Sequence, residues 1–260
     1  MNEILVAGCA IAGAIAGVVL DDLGAAIPPA SKANNTDPVD DDTDLLDLPV
    51  PAVPSDPAVP SDPAGPSDPA VPSAVERVAV GLISALFLAA AAMRFGPAPA
   101  LAGYCILFLG LVAVSIVDIR VGLVPRKFLY PVGLLMAASL TAASLVDRDV
   151  HPLLTGAVGG VVAFGVFFAI WWFYPAGMGF GDVRLAGVIG VALGWLGPLH
   201  IYVGFLAAFL TGAIYGGIVM ISGGTGRKTR VPFAPALSLG AGVSVLFGSV
   251  IISHWLPGHS

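Results

Sequence analysis

Two short stretches hold the acidic residues with the clearest chemical potential. One is the glycine-rich turn Gly177-Met-Gly-Phe-Gly-Asp-Val-Arg-Leu185, which places Asp182 and Arg184 between two strongly apolar segments. The other is Val117-Asp118-Ile119-Arg120, where an apolar run of about membrane length, roughly 20 residues, ends in an aspartate. A charge at the mouth of a membrane helix is costly and usually marks function. Asp118 and Asp182 are therefore candidate functional residues.

A pair of carboxyl groups can hydrolyse an amide without any other group. Two carboxylates held close together cannot easily both ionise, so one pKa rises and the pair shares a proton. The ionised member takes a proton from water, while the protonated member polarises the carbonyl and later protonates the leaving amine. We therefore expect neither a metal nor another cofactor. The alternative for each aspartate alone is an ordinary interfacial charge paired with its neighbour, Arg120 or Arg184.

The composition indicates a protein that crosses a membrane many times. Of 260 residues, 57% are hydrophobic and 11% are charged, whereas soluble domains have about 25% charged residues. The formal net charge of −6 comes largely from aspartates between positions 21 and 68. The rest of the chain is nearly neutral, so nothing favours nucleic-acid binding.

Three regions follow from the pattern of apolar and polar residues. Residues 1–20 predict an N-terminal transmembrane helix. Residues 21–75 are acidic and repeat Pro-Ser-Asp-Pro-Ala three times, which predicts a disordered, extended cytoplasmic tether. Residues 76–256 predict the membrane core of an all-α helical bundle. The eight candidate spans are 4–20, 78–93, 99–117, 128–146, 153–174, 183–196, 199–221 and 234–252.

The basic residues set the predicted orientation. With the N-terminus outside, nine of the 11 Lys and Arg residues fall in cytoplasmic loops. This topology places Asp118 and Asp182 at the same cytoplasmic face. The span 183–196 covers only about 21 Å, less than a hydrocarbon core of about 30 Å. Glycines at 177, 179 and 181 suit a recessed loop there, since glycine permits positive φ and close approach of another segment.

At this point the residues resemble a known family. The stretch Gly177 to Leu185 looks like the GxGD signature of the prepilin leader peptidases, which are membrane aspartic proteases. Asp118, with Val124-Pro-Arg126 downstream, is similar to the first catalytic aspartate of that family. Two supporting likenesses are Glu76-Arg-Val-Ala-Val-Gly-Leu with Met93-Arg-Phe-Gly96, and Val231-Pro-Phe-Ala-Pro235 before the last helix.

The resemblance implies an enzyme of the bacterial inner membrane. It would cut the basic leader from type IV prepilin or pseudopilin precursors at the cytoplasmic face, with the lipid bilayer as its surroundings. Asp118 and Asp182 carry over as the catalytic pair. Gly177, Gly179, Gly181 and Arg184 carry over as the segment that positions Asp182 and the substrate.

Two positions and one region depart from the family pattern. Arg184 stands where Lys is usual, and Ala234 stands where Gly is usual. Long family members also carry a cysteine-rich domain associated with N-methylation, where residues 21–75 have no cysteine. We therefore expect leader cleavage and do not extend the methyltransferase activity to this chain.

Two other functions fit the same aspartates. A transporter or assembly scaffold could use a carboxylate pair as an ion or proton site, although no internal repeat between halves is visible. A protease resembling the signal-peptide peptidases would share the chemistry and differ in substrate.

Overall fold

The computed structural model describes residues 2–25, 73–121, 126–175, 178–221 and 233–255. These ranges contain eight helices and no strand, so the predicted all-α membrane bundle is confirmed. Seven of the helices are long and apolar enough to cross a membrane. The bounds are α1 (Asn2–Ala25), α2 (Ala74–Phe95), α3 (Ala100–Val121), α4 (Arg126–Asp147), α5 (His151–Phe173), α6 (Phe180–Leu196), α7 (Pro198–Ile221) and α8 (Ala234–Trp255).

The short helix α6 differs from its predicted bounds. It has 17 residues, or about 26 Å of length, which is still below a hydrocarbon core of about 30 Å. It begins at Phe180 rather than at 183, so Asp182 lies inside its first turn. At its other end Gly197 has φ 138°, a value that favours glycine, and α7 starts at the next residue. This tight turn fixes α6 against α7.

The first helix also runs past its predicted end at residue 20. It continues to Ala25 because Asp21 and Asp22, which the sequence assigned to the tether, form ion pairs with the core. Asp21 pairs with Arg120 at 2.6 Å, and Asp22 pairs with Arg77 at 2.9 Å. The predicted disordered tether falls mostly on residues 26–72, which lie outside the described residues, and it stays a prediction.

Helices α3 and α4 run antiparallel. Gly103, near the start of α3, faces Leu140 of α4, and Gly110 faces Val132. Contacts therefore move toward the start of α4 as α3 proceeds toward its end. The end of α3 and the start of α4 lie at the same end of the bundle.

Helices α4 and α6 run parallel. The guanidinium of Arg184 lies 6.0 Å from the ring centroid of Tyr130, so the first turns of the two helices are side by side. Near their other ends Trp195 Nε1 donates a hydrogen bond to Ser144 Oγ at 3.0 Å. Since α3 is antiparallel to α4, the end of α3 and the start of α6 share one end of the bundle.

Small residues allow the closest helix contacts. In the α5–α6 pair, a Cβ on Gly190 would lie 2.6 Å from the carbonyl oxygen of Gly159 and 2.6 Å from the Cβ of Ala163. Backbones that approach so closely gain dispersion contacts, which drive helix association where lipid removes the hydrophobic force. The close fit of α6 on α5 holds the helix that carries Asp182.

Gly190→Ala should destabilise the protein by about 1–3 kcal/mol, because α5 and α6 must separate to admit the new methyl group. Thermal unfolding in detergent would measure the change. Gly165→Ala, on the same α5, is the control: nothing lies within 4 Å of its added Cβ, and alanine is the better helix former. Equal melting temperatures for the two variants would contradict the packing argument.

Candidate active site

Asp118 lies in the last turn of α3 and is almost fully buried, with 5% of its surface exposed. Its Oδ2 accepts a hydrogen bond from the main-chain N–H of Ala234 at 3.1 Å. Ala234 is the first residue of α8, and the first amides of a helix have no partner within the helix. Asp118 therefore caps α8 from another helix, 116 residues away in sequence.

One turn below Asp118, two serines join the same pair of helices. Ser115 Oγ and Ser238 Oγ are 2.9 Å apart. The Ser115 hydroxyl also hydrogen bonds to the Leu111 carbonyl, and the Ser238 hydroxyl to the Ala234 carbonyl. These bonds hold α3 against α8 in antiparallel register, directly beneath the carboxylate.

Asp182 lies in the first turn of α6 and is also buried, with 7% exposed. Its Oδ2 accepts a hydrogen bond from the N–H of Gly179 at 3.3 Å. In return the N–H of Asp182 donates to the carbonyl of Gly179 at 3.0 Å. The carboxylate thus closes the first turn of its own helix, at the end where a helix dipole attracts negative charge.

The three glycines of the motif have different positions. Gly179 is the N-cap of α6 with φ −75°, so its backbone does not use the positive-φ freedom expected of a recessed loop. Gly181 lies within the first turn of α6 rather than in a loop, because the helix starts at Phe180. Gly177 lies outside the described residues, and its part in a positioning loop stays a prediction.

The two aspartates lie at the same end of the bundle. At the opposite end, the Tyr104 hydroxyl of α3 donates to the carbonyl of Ala192 on α6 at 2.8 Å. Along the helix axes, Asp118 is about 21 Å from Tyr104 and Asp182 about 15 Å from Ala192. Both aspartates therefore lie far from the Tyr104–Ala192 contact, toward the opposite end of the bundle.

An aromatic cluster closes the far end of the space between α3 and α6. Tyr104 stacks on Phe95 with ring centroids 4.4 Å apart and meets the edge of Trp195 at 6.2 Å. Tyr104 is fully buried, and its hydroxyl is satisfied by Ala192. Aromatic side chains therefore pack the contact between α3 and α6 at this end.

Arg184 lies at the rim of an apolar groove beside Asp182. Its guanidinium is 4.4 Å from the centroid of the Phe180 ring, a distance typical of a cation–π contact. The groove has a volume of about 710 Å³ and lies between α4, α5 and α6. Its remaining wall includes Tyr130 of α4 and Phe164 of α5.

Arg120, the other basic neighbour, has acidic partners outside the motif. It pairs with Asp21 of α1 at 2.6 Å and approaches Glu76 of α2 at 3.9 Å. The contact found for Asp118 is instead the Ala234 amide. These contacts argue against the alternative in which Arg120 only neutralises Asp118, because Arg120 pairs with Asp21 and Glu76.

Three contributors to this site escaped the sequence reasoning. Ala234 drew attention only as a departure from glycine, whereas its amide binds Asp118. Ser115 and Ser238 looked like ordinary serines in apolar helices. The prolines flanking Ala234, at 232 and 235, were the available signal, since proline is favoured at the start of a helix.

Comparison with known proteins identifies the family. Residues 105–217 match the profile of the type IV leader peptidase family. The chain is 32% identical over 180 residues to a prepilin leader peptidase/N-methyltransferase of Bacillus subtilis, covering 68% of each chain. The chain belongs to the type IV leader peptidase family. The matched range spans positions 118 and 182.

Further members of this leader peptidase family are similar at lower identity. The prepilin leader peptidase/N-methyltransferase of Xanthomonas campestris is 29% identical, and that of Pseudomonas aeruginosa is 30% identical. Each alignment covers 68% of this chain, but only 61% and 60% of those two relatives. No solved structure gives a significant match to the chain.

The capping role of Asp118 predicts how its variants differ in stability. Asp118→Asn keeps an oxygen that accepts the Ala234 amide, whereas Asp118→Ala leaves that amide without a partner. We expect the Ala variant to be less stable than the Asn variant by about 1 kcal/mol. Thermal unfolding of both in the same detergent measures this, and equal stabilities would argue against the cap.

Proposed function

We propose that this protein is an aspartic endopeptidase. It removes the basic leader from type IV prepilin or pseudopilin precursors at the cytoplasmic face of the bacterial inner membrane. The observation that carries the proposal is the placement of two buried carboxylates, Asp118 and Asp182, at one end of a helical bundle that belongs to a leader peptidase family. Neither carboxylate is an ordinary solvated charge.

In this proposal the two carboxyl groups share the acid and base roles. The ionised member takes a proton from a water molecule, and the resulting hydroxide attacks the scissile carbonyl carbon. The protonated member first donates a hydrogen bond to the carbonyl oxygen, and a proton then passes to the leaving amine. The atoms balance without any added group, since water supplies the hydroxyl of the new carboxyl end and the proton of the new amino end.

A backbone amide binds one oxygen of each aspartate. Asp118 uses Oδ2 for the Ala234 amide, and Asp182 uses Oδ2 for the Gly179 amide. Each side chain is thereby held in one orientation by a backbone donor. A fixed carboxylate loses less entropy when it meets a substrate, so these bonds orient the chemistry as well as close the helices.

The substrate would approach through the membrane. A prepilin-like precursor carries an apolar helix after its leader, and the lipid-facing surfaces of this bundle expose many apolar side chains. Such a substrate stays in the bilayer while its leader junction reaches the cytoplasmic end, where the aspartates lie. The bilayer therefore both surrounds the enzyme and presents the substrate.

Asp118→Asn and Asp182→Asn should each lower the rate of leader removal by roughly a hundredfold or more, because each removes one half of the acid–base pair. Each variant would be co-expressed with a prepilin, and the precursor and mature forms separated by mass. Asp147→Asn is the control, since Asp147 is exposed and lies at the other end of α4. Cleavage retained by both Asn variants would falsify the assignment.

Cleavage and ion-flux assays together distinguish a peptidase from an ion pathway. If the wild-type protein leaves a prepilin intact, while Asp118→Asn alters proton or cation flux into liposomes, the carboxylates serve an ion site. If it cleaves a substrate of the signal-peptide peptidases instead of a prepilin, the substrate class is wrong and the chemistry stands. The three functions therefore give different results with the same purified protein.

We expect the new N-terminus to leave this enzyme without a methyl group, because residues 21–75 have no cysteine. The assay incubates the protein, a prepilin and S-adenosylmethionine, and weighs the mature product by mass spectrometry. The Bacillus subtilis relative, whose name includes both activities, is the positive control. A product heavier by one methyl group would show that this chain methylates without a cysteine-rich domain.

A further inference from the structure

Asp21 is more deeply buried than any other carboxylate in the described parts of the chain, and the proposed chemistry does not use it. Its exposed fraction is 0%. Its Oδ1 accepts a hydrogen bond from Arg120 Nη2 at 2.6 Å, and its main-chain carbonyl accepts from Arg120 Nη1 at 3.2 Å. One guanidinium thus binds two oxygens of one residue, a contact that fixes orientation as well as distance.

Arg120, the cation of this ion pair, belongs to the turn of α3 that carries Asp118. Arg120 follows Asp118 by two residues, and α3 ends at Val121. The last turn of a helix has few backbone bonds of its own and frays easily. Asp21 therefore holds that turn from α1, while the Ala234 amide holds Asp118 from α8.

The packing of α1 on α2 fixes the position of Asp21. Gly13, Gly17 and Asp21 are spaced four residues apart, so they lie along one face of the helix. A Cβ on Gly17 would lie 2.6 Å from Ser84 Oγ and 2.8 Å from the carbonyl oxygen of Val80. The backbone of α1 therefore lies directly on α2, and Asp21, on the same face of α1, contacts Arg120.

Stability alone does not account for this ion pair. Asp21 is fully buried, whereas 26% of the Arg120 side chain is exposed. Burying the charge of an ion pair costs about as much as the attraction returns, so apolar replacement of both partners is often neutral or stabilising. The Oδ2 atom of Asp21 is also buried and has no hydrogen-bond partner among the described residues. An ion pair that does not maximise stability and lies next to a candidate catalytic residue indicates a role in orienting that residue.

We propose that Asp21 is a positioning residue for the peptidase reaction. Through Arg120 it holds the final turn of α3, and thereby holds Asp118 in the orientation that catalysis needs. This inference rests on the proposed function. It makes α1 part of the active-site assembly rather than only a membrane anchor.

The test replaces the whole ion pair rather than one charge. The double variant Asp21→Leu/Arg120→Met removes the buried carboxylate together with its partly exposed partner, so we expect a melting temperature no lower than that of the wild type. Prepilin cleavage by the purified full-length variant should nevertheless show kcat lowered about tenfold or more, with KM changed less than twofold. If the ion pair has only a structural role, the double variant should match the wild type in both melting temperature and kcat. That result would overturn the proposal.

The control removes the neighbouring ion pair on the same turn of α1. Asp22 pairs with Arg77 of α2 and both side chains are partly exposed, so Asp22→Leu/Arg77→Met should retain wild-type kcat. Should Asp21→Leu/Arg120→Met fail to fold, the milder Asp21→Asn decides, because it keeps an oxygen and the shape of the side chain. A wild-type kcat for Asp21→Asn then refutes the positioning role.

The proposed function has its own signature in the same assay. Wild-type protein that does not cleave a prepilin contradicts the peptidase assignment. Wild-type cleavage that is lost in Asp118→Asn supports that assignment, and the Asp21 variants then decide only whether α1 positions Asp118.

Discussion

A helix that begins inside a membrane protein presents amide groups that need acceptors, since no bulk water is available to them. The aspartate end of this bundle meets that need with the same carboxylates that its proposed chemistry requires. Asp118 accepts the first amide of α8, and Asp182 accepts the amide before α6. A single set of hydrogen bonds therefore starts two helices and orients two acids.

This double use explains why the ends of helices, rather than their middles, carry the site. At mid-helix every backbone group is already paired, and a carboxylate there would have no donor to fix it. At a helix start, donors are free and the dipole favours a negative charge. The small residues of the packed helix pairs then bring these starts together, as Gly190 does by seating α6 on α5.

The sequence predicted those features that depend on local pattern. Apolar runs, all but one of about membrane length, predicted eight helices. A charge directly after one run predicted Asp118, and a charge directly before another predicted Asp182. Contacts between distant residues could not be predicted in this way. The bond from Ala234 to Asp118 joins residues 116 apart, and no periodicity in the chain records it.

Composition was misleading where a polar residue has a partner from another helix. Asp21 was placed in the acidic tether because it precedes a run of aspartates, yet it lies at 0% exposure against Arg120. Gly181 was placed in a loop because glycine permits positive φ and close approach of another segment, yet it lies in the first turn of α6. In both cases tertiary contacts outweigh local preference by extending a helix, and in both cases the extension reaches the candidate active site.

The order of the helices gives the two aspartates different mechanical surroundings. Asp118 lies at the end of α3, where α1 and α8 both contact its turn, and Asp182 lies at the start of the short α6, where it accepts a hydrogen bond from the Gly179 amide. A site that must admit a peptide bond between two acids requires at least one of them to yield. Any shift of the turn that carries Asp118 must also shift its contacts with α1 and α8, so adjustment to a substrate on that side involves three helices.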